Sequence, residues 1–359
     1  MRVVPYLLFL LLTTSCAFAQ QERFCRIGDS PETLYGLKRL WNPEYFQGYS
    51  KTKSYFEGWY FKMVSANGKH RYAFIPGVSL GDDSHSFVQV IDGTTGSTQY
   101  YRFPIEEFYY STNRFAVWVG PNFFSADSFF VDLGAGENLI IGKGLILNRV
   151  EYPIKPLMPG IMGWYRFVPF MECFHGIVSI DHTLLGDFLV GSQIISFTGG
   201  KGYIEKDWGK SMPSAWVWTQ SNNFSNSPNA SFMLSVANIP WMGRSFTGFL
   251  GYLYANGNLY RFATYTGAKI KVFETEGDKV RVVIESRKFT IEFIGVKGTR
   301  GNLLAPVAGE MSRTIHESID AIISVKLTDN EGLVLFEGEA PIAGLELVGD
   351  TNALNPNKQ

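Results

Sequence analysis

The chain has few of the residues from which metal and thiol sites are built. Its 359 residues include 3 cysteines and 5 histidines, and they fall in none of the usual metal-ligand spacings. Neither a phosphate-binding glycine loop nor a nucleophile elbow occurs. The sequence therefore gives no support to a metalloenzyme, an NTP-dependent enzyme or a serine hydrolase, and we expect no cofactor and no metal.

Charged residues are also scarce, and their signs nearly balance. They make up 18% of the chain, with 32 basic and 33 acidic residues. Such a balance provides no overall electrostatic attraction for nucleic acid or for an anionic membrane. We therefore expect no nucleic-acid partner.

Long apolar runs are confined to the first 19 residues. Arg2 precedes the apolar run YLLFLLL at 6–12, and AFA at 17–19 is a small-x-small cleavage site. The run is too short to span a bilayer. This pattern predicts a signal peptide over residues 1–19, with a membrane anchor or a lipid-modified Cys16 as the alternatives. We expect a protein of the secretory pathway that is secreted, periplasmic or lumenal after cleavage.

Two cysteines, Cys25 and Cys173, would remain after cleavage. In an oxidising compartment they could form a disulfide, and closing so long a loop would stabilise the fold by about 4–5 kcal/mol. Their spacing does not decide between a pair and two unrelated thiols. Two Asn-x-Ser sequons, at Asn223 and Asn229, could carry glycans in a eukaryotic secretory route and would then mark a surface loop.

The remaining composition and turn signals are typical of a β protein. Aromatic residues make up 15% of the chain, beside 37 glycines. Asn67-Gly68 and Asn256-Gly257 lie between aromatic and β-branched runs, as in β-hairpins. No long segment has a helical period. The sequence predicts an all-β, up-and-down antiparallel protein, either a barrel or a curved sandwich.

The chain length suits two β domains. We place a boundary at 198/199, which gives an N-terminal domain over residues 20–198 and a C-terminal domain over 199–350. Residues 351–359 are predicted to be a flexible tail. The stretch 152–169 contains four prolines and is predicted to be a long connection across a barrel mouth.

The segment YIEKDWGKSMPSAWVWTQSNNF at 203–224 places charged residues among three tryptophans. If 203–208 is a strand, its tyrosine and two acids share one face, while a lysine and a tryptophan share the other. After a turn, two further tryptophans and a glutamine line one face of the returning strand. Such faces suit either a partly apolar pocket or a core with a solvated corner. The candidate residues are Tyr203, Glu205, Asp207, Trp208, Trp216, Trp218 and Gln220.

A second cluster, YFEGWYFK at 55–62, places Glu57 on one face with Tyr55, Trp59 and Phe61. A carboxyl among aromatic rings is costly to ionise, so its pKa rises and it could act as a general acid. The alternative is a glutamate at a barrel rim that is paired with an arginine or lysine. A third cluster, at 171–186, offers His175 on the same face as Cys173, although a lone histidine is more often structural.

These motifs resemble the paired signatures of the tocopherol cyclase family. The resemblance rests on FEGWYFK at 56–62 and on the segment 203–224. LLAP at 303–306, ESIDAIISVKL at 317–327 and AGLELVG at 343–349 follow in the expected order, so the resemblance covers nearly the whole mature chain. It implies two lipocalin-like β domains, similar to those of carotenoid hydratases, and the cyclisation of a prenylated hydroquinone to a chromanol without cofactor or metal. The plant enzymes differ in carrying a plastid transit peptide and extra segments between the two signatures.

Cyclisation requires a proton donor, a dry cavity and stabilisation of a carbocation. We expect Glu57, Asp207 or Glu205 to supply the acid, since each could lie beside indole rings that attract a cation. His175 or Gln220 could orient the phenol. These roles follow from chemistry and not from the family. The partner is then a hydrophobic small molecule such as a prenylated hydroquinone or another isoprenoid, with peripheral membrane contact for substrate access.

Two other functions use the same features. A secreted carrier of a prenylquinone, carotenoid or other lipid would need the tryptophans and the barrel but not the acids. An alkene hydratase or isomerase that acts on an isoprenoid would keep the acid, and in the hydratase water would trap the cation.

Overall fold

A computed structural model describes residues 22–169, 171–241 and 243–356. In these residues the chain forms two antiparallel sheets, of fourteen and ten strands, with helical structure limited to short turns. The all-β, lipocalin-like prediction is confirmed. Among the same residues, no helix has the length and apolar composition of a membrane span. The predicted signal peptide at 1–19 lies outside the described residues.

The first sheet contains the N-terminal strands. Its main path runs β1-β6-β7-β8-β9-β10-β11-β14-β2-β3-β4-β5, and β12 and β13 form a hairpin beside β10. The strands are β1 Phe24–Cys25, β2 Tyr55–Val64, β3 Arg71–Leu80, β4 His85–Asp92, β5 Ser97–Pro104, β6 Phe108–Ser111, β7 Ala116–Val119, β8 Asn122–Ser125, β9 Ser128–Leu133, β10 Ile140–Val150, β11 Cys173–Leu185, β12 Asp187–Val190, β13 Gln193–Ser196 and β14 Lys201–Gly209.

The second sheet follows the path β18-β17-β16-β15-β24-β23-β21-β20-β19, with β22 beside β23. Its strands are β15 Trp216–Ser221, β16 Ser231–Trp241, β17 Arg244–Ala255, β18 Asn258–Ala263, β19 Lys269–Glu276, β20 Lys279–Glu285, β21 Phe289–Val296, β22 Gly301–Val307, β23 Glu310–Asp329 and β24 Val334–Val348. Helical turns are α1 Tyr35–Lys38 and the 3-10 segments Ile105–Glu107, Gly136–Asn138, Gly163–Phe167, Thr264–Thr266 and Thr351–Leu354.

The predicted hairpins form at the positions that the turn residues indicated. Asn256 and Gly257, with φ of 52° and 74°, make the two-residue connection between β17 and β18. Gly68 supplies a positive φ of 70° between β2 and β3. The predicted connection at 152–169 joins β10 to β11 and contains one 3-10 turn.

The division between the sheets lies later than the predicted domain boundary. Strand β14 belongs to the first sheet, where it pairs with β2 and β11. The second sheet begins at Trp216. The domain limits themselves stay a prediction. The predicted flexible tail is corrected for residues 351–354, because they form a 3-10 turn and Leu354 is fully buried in the second core.

Side chains alternate across each sheet and so form three apolar clusters. One cluster lies on the inner face of the first sheet, one on the inner face of the second sheet, and the third draws on both sheets and lies between them. On β14, Trp208 faces the first cluster and Tyr203 the third. The position of a residue along its strand therefore decides whether it faces a closed core or the space between the sheets.

A buried ion pair holds the inner face of the first sheet. Lys206 on β14 pairs with Glu57 on β2, and neither side chain is exposed. Glu57 also accepts hydrogen bonds from the backbone N–H groups of Gln47 and Gly48 and from the hydroxyl of Tyr55. Lys206 lies between two indole rings, 4.7 Å and 4.8 Å from their centroids. The pair thereby ties two neighbouring strands to the segment that precedes β2.

We predict that Lys206→Met lowers the free energy of unfolding by about 3–5 kcal/mol, because Glu57 would keep a buried charge without its cation. Urea denaturation measures this loss. The matched control is Lys326→Met, since Lys326 and Glu337 form an exposed pair that contributes about 1 kcal/mol or less. Equal losses in the two variants would show that the buried pair has no special role.

Candidate functional site

A cavity of about 190 Å³ lies between the two sheets. One wall comes from β2 to β4, β11 and β14 of the first sheet, and the other from β15, β16, β17 and β22 to β24 of the second. Most of the lining is aromatic or aliphatic, as in sites for apolar ligands. Polar groups converge from both walls, among them Tyr60, His175, Glu205, Asp207, Glu317 and Glu346.

The first wall carries a histidine between two carboxylates. His175 on β11 is the direct cross-strand partner of Asp207 on β14, and Nδ1 of His175 lies 2.8 Å from Oδ1 of Asp207. Nε2 lies 3.4 Å from Oε2 of Glu205 but has no hydrogen-bond partner. Burial lowers the pKa of His175, but attraction to Asp207 and Glu205 outweighs it and raises the pKa to about 10. The imidazole is therefore protonated at neutral pH, and its Nε2 lies at ion-pair distance from Glu205.

Glu205 is held in place by two aromatic donors. Its Oε2 accepts a hydrogen bond from the hydroxyl of Tyr203 at 2.6 Å and one from the indole N–H of Trp218 at 3.3 Å. Trp218 belongs to the second sheet, so this contact crosses the cavity. The carboxylate is consequently fixed in position by both walls.

The second wall carries two adjacent carboxyls. Glu317 on β23 and Glu346 on β24 are direct cross-strand partners, and they are 1% and 8% exposed. Glu317 accepts a hydrogen bond from the hydroxyl of Tyr60, and Glu346 accepts one from the indole N–H of Trp216. Each carboxyl thus has one aromatic donor and one close acidic neighbour.

These two carboxyls bind protons more tightly than ordinary glutamates. Burial raises the pKa of Glu317 well above its usual value, and the charge of Glu346 raises it further. Burial also raises the pKa of Glu346, to about 7. Two neighbouring carboxyls in an apolar site cannot both ionise readily. At neutral pH the pair therefore retains a proton, and the pKa of Glu317 is the more strongly raised of the two.

β-bulges aim these acids into the cavity. Between the pairs Ser318–Leu345 and Ala321–Ala343, β23 contains one residue more than β24. An extra residue reverses the alternation of side chains along a strand. Before the bulge, the odd-numbered residues of β23 consequently face the cavity, and Glu317 is one of them. After the bulge, the odd-numbered residues face the second core.

The structure brings together several of the predicted site residues. Tyr203, Glu205 and Asp207 share a face of β14, and Trp216 and Trp218 share a face of β15, as the alternation predicted. Each of the five lies in the cavity lining or in the apolar cluster around it. His175 lies beside the two predicted acids.

Four other candidates lie elsewhere, and these predictions are corrected. Glu57, Trp59 and Trp208 face the first core, because they alternate with the residues that line the cavity. Of the alternative stated for Glu57, the pairing with a lysine is observed, but the pair is fully buried and does not lie at a barrel rim. The amide Oε1 of Gln220 accepts a hydrogen bond from the buried Nζ of Lys62 at 3.1 Å, so this side chain is engaged away from the cavity.

The cysteines and sequons have separate surroundings. Both thiols are free: Cys25 is buried in the first core, whereas Cys173 lines the cavity. Of the two alternatives, the structure has unrelated thiols and no disulfide. Asn223 and Asn229 lie in the loop between β15 and β16, where Asn229 is exposed and Asn223 half-buried.

Sequence reasoning missed Tyr60, Glu317 and Glu346. All three stand in the quoted motifs, FEGWYFK, ESIDAIISVKL and AGLELVG. The alternation Ile315, Glu317, Ile319 puts an acid on an apolar face, which is the signal that could have identified Glu317. Glu346 lacks so clear a signal, because the leucines on both sides of it conceal which face it takes.

One group within the described residues could hold a metal ion. Donor atoms of His175, Glu205 and Asp207 lie within 4.8 Å of one another. Because Nδ1 of His175 contacts Asp207, a metal would be bound through Nε2 and a carboxylate, with Asp207 orienting the ring. The chain brings these residues together from two strands, at spacings that no sequence motif indicates.

Comparisons with known proteins relate the chain to one family. The sequence profile described as tocopherol cyclase-like matches residues 155–349, which is more than half of the chain. No curated protein matches the chain in sequence. Among solved structures it is similar to CghA, with 10% identity and a TM-score of 0.50 over 82% of this chain and 89% of that one. The structure of CghA with Sch210972 has 11% identity and a TM-score of 0.49, and kievitone hydratase from Nectria haematococca has 10% identity and a TM-score of 0.45. Both comparisons again cover 82% of this chain and 89% of the other. At these identities the likeness to CghA supports the fold alone.

We predict that Glu346→Gln reduces the pH dependence of stability. Folding raises the pKa of Glu346 from its ordinary 4.5 to about 7, so its contribution to stability is present below pH 4.5 and is lost as the pH rises through about 7. The loss amounts to about 3 kcal/mol. Urea denaturation at pH 5 and pH 8 measures it.

The control for this prediction is Glu339→Gln, on the same strand but exposed. This variant should lose as much stability between pH 5 and pH 8 as the unmodified protein does. A Glu346→Gln variant that loses as much stability as the control would contradict the raised pKa.

Proposed function

Since the chain belongs to the tocopherol cyclase-like family, we propose that it protonates the double bond of a prenylated phenol, such as a hydroquinone, and closes the cation onto the phenol oxygen to give a chromanol. The observation that carries this proposal is the carboxyl pair of Glu317 and Glu346 on the wall of an aromatic cavity. An alkene is a weak base, so its protonation needs an acid that keeps its proton at neutral pH and lies in a dry site. Glu317 meets both conditions.

The proton of Glu317 passes to one carbon of the double bond. A C–H bond forms from the π electrons, the neighbouring carbon becomes a tertiary carbocation, and Glu317 becomes a carboxylate. The hydroxyl of Tyr60 already donates to Glu317. That hydrogen bond stabilises the charged product of the step.

Aromatic rings and carboxylates then stabilise the cation. Trp218 and Tyr60 pack edge to face, with ring centroids 5.4 Å apart, and both line the cavity. A desolvated cation over an aromatic face gains about 2 kcal/mol or more. The nearby carboxylate charge adds a fixed electrostatic attraction that water would otherwise screen.

Closure of the ring restores the acid. A lone pair of the phenol oxygen forms the C–O bond, and the phenol proton passes to the carboxylate pair on the second wall. The reaction is thus an isomerisation that consumes neither water nor a proton. The apolar lining supports this outcome, since it keeps water from trapping the cation first.

His175 is the group best placed to orient the head group. Its Nε2 is buried and has no hydrogen-bond partner, while its Nδ1 is fixed by Asp207. An oxygen of a hydroquinone would accept a hydrogen bond from this N–H. The reaction then proceeds in one orientation, which gives one enantiomer.

The alternative is a carrier that binds the same kind of lipid without reacting. The aromatic and aliphatic lining of both walls favours it. A carrier requires Trp216 and Trp218 but not the proton of Glu317, so substitution of the acid separates the two functions.

We predict that the purified protein converts a prenylated hydroquinone to a single chromanol enantiomer, and that Glu317→Gln lowers the rate by at least about a hundredfold. A panel of prenylated hydroquinones and chiral chromatography measure product. Glu339→Gln is the matched control, because this acid is exposed on β24 and should leave the rate unchanged. Quenching of tryptophan fluorescence by the substrate shows that Glu317→Gln still binds.

Each other result identifies a different function. Saturable quenching without product would favour the carrier. A tertiary alcohol, heavier than the substrate by one water, would identify a hydratase. Full turnover by Glu317→Gln would remove Glu317 as the proton donor.

A further inference from the structure

Exposed apolar side chains are concentrated on three segments, two of which also contribute residues to the cavity lining. The first is 34–41, which contains helix α1. Leu34, Leu37 and Trp41 are exposed there, although the chain that follows this segment packs into the first core. The indole N–H of Trp41 donates to the backbone oxygen of Pro156 at 2.9 Å, which joins this segment to the next.

The second segment is 154–167, the connection predicted to cross the mouth. Ile154, Leu157, Trp164 and Phe167 are exposed, and Leu157 is 78% exposed. The ring of Phe167 lies 6.2 Å from that of Trp41. The two segments therefore form one continuous apolar surface.

The third segment consists of residues 239–241, at the end of β16, and 243–246, at the start of β17. Trp241 is exposed. Ile239, two residues earlier, lines the same cavity as Met162 and Tyr165 of the second segment. Tyr165 and Ile239 are half-buried and so reach both the cavity and the surface. We call the three segments together the mouth surface.

The charges of the mouth surface have one sign. Its three segments contain no acidic residue, whereas the chain as a whole has 33. Their charged residues are Lys38, Arg39, Lys155, Arg166 and Arg244. Lys155 and Arg244 are exposed, and Lys38 is exposed and paired with Glu32 outside the segment. The near neutrality of the whole chain therefore conceals a local basic surface.

We propose that the mouth surface docks on a lipid bilayer that carries anionic head groups. Indole rings settle at the head-group level, leucine and isoleucine side chains enter the acyl boundary, and lysine and arginine contact phosphates. Three exposed tryptophans, exposed aliphatic residues and the exposed basic residues Lys155 and Arg244 match these requirements. Because Met162, Tyr165 and Ile239 of this surface also line the cavity, docking would let an apolar molecule pass from the bilayer into the cavity without crossing water.

This docking is separate from the chemistry in the cavity, because a carrier and a cyclase would both use it. The test is sedimentation with vesicles of phosphatidylcholine alone and of phosphatidylcholine with about 30% phosphatidylglycerol. The full-length mature chain should bind the anionic vesicles more tightly, and Leu157→Ser with Trp164→Ser should lower this binding at least about tenfold. Added salt should weaken binding of the unmodified protein.

A matched control uses residues outside the mouth surface. Ile194 is 77% exposed and Trp118 is 36% exposed, close to the 78% of Leu157 and the 50% of Trp164. Ile194→Ser with Trp118→Ser should bind vesicles as the unmodified protein does. Because all four side chains are exposed, neither double variant should alter the circular dichroism spectrum.

Three outcomes would overturn the proposal. The first is an unmodified protein that stays in the supernatant with both vesicle types. The second is a control variant that loses as much binding as the mouth variant. The third is a lipid-free dimer, seen by sedimentation velocity, that the mouth variant abolishes while vesicle binding is unchanged, since a second copy of the chain would then cover this surface. None of these results involves turnover, so all three leave the proposed function untouched.

Discussion

The alternation of side chains along β2 and β14 is the constraint on which the site depends. On one face of these paired strands, Glu57 and Lys206 form a buried ion pair. On the other face, Tyr60 and Glu205 are direct cross-strand partners that border the cavity. A slip of one residue would bring the acids into the core and the ion pair into the cavity. Because unpaired charges in the core are strongly unfavourable, the ion pair selects the register that the site requires.

The cavity balances its negative charges in two different ways. On the first wall, protonated His175 lies between Asp207 and Glu205 and compensates their charge. The cations that act on the second wall are Lys62, which lowers the pKa of Glu317, and Lys297, which lowers the pKa of Glu346, and burial lowers the pKa of Lys62 itself to about 7. A bound proton therefore offsets the carboxyls of that wall. One wall provides a fixed polar anchor and the other provides a transferable proton, as acid catalysis in an apolar site requires.

The sequence predicted the parts of this arrangement that depend on local pattern. Period-2 alternation and Asn-Gly turns indicated the strands, and the shared face of Glu205 and Asp207 followed from their spacing. The role of Glu57 could not be predicted, because its partner Lys206 is distant in sequence and the choice between acid and ion pair depends on that contact. Glu346 was missed for another reason: bulges between β23 and β24 change which residues face the cavity, and no local pattern reports them.

The order of the strands along the chain has a consequence for biosynthesis. The first sheet contains only residues up to Gly209, and its strands can pair before the second sheet has been translated. The second sheet cannot be completed until translation is nearly finished, because β15 pairs with β24, more than a hundred residues later. Glu346 lies on this final strand. A ribosome that stalls after β15 but before β24 would thus release a chain with a complete first sheet, an unpaired edge on β15 and a carboxyl pair that lacks Glu346.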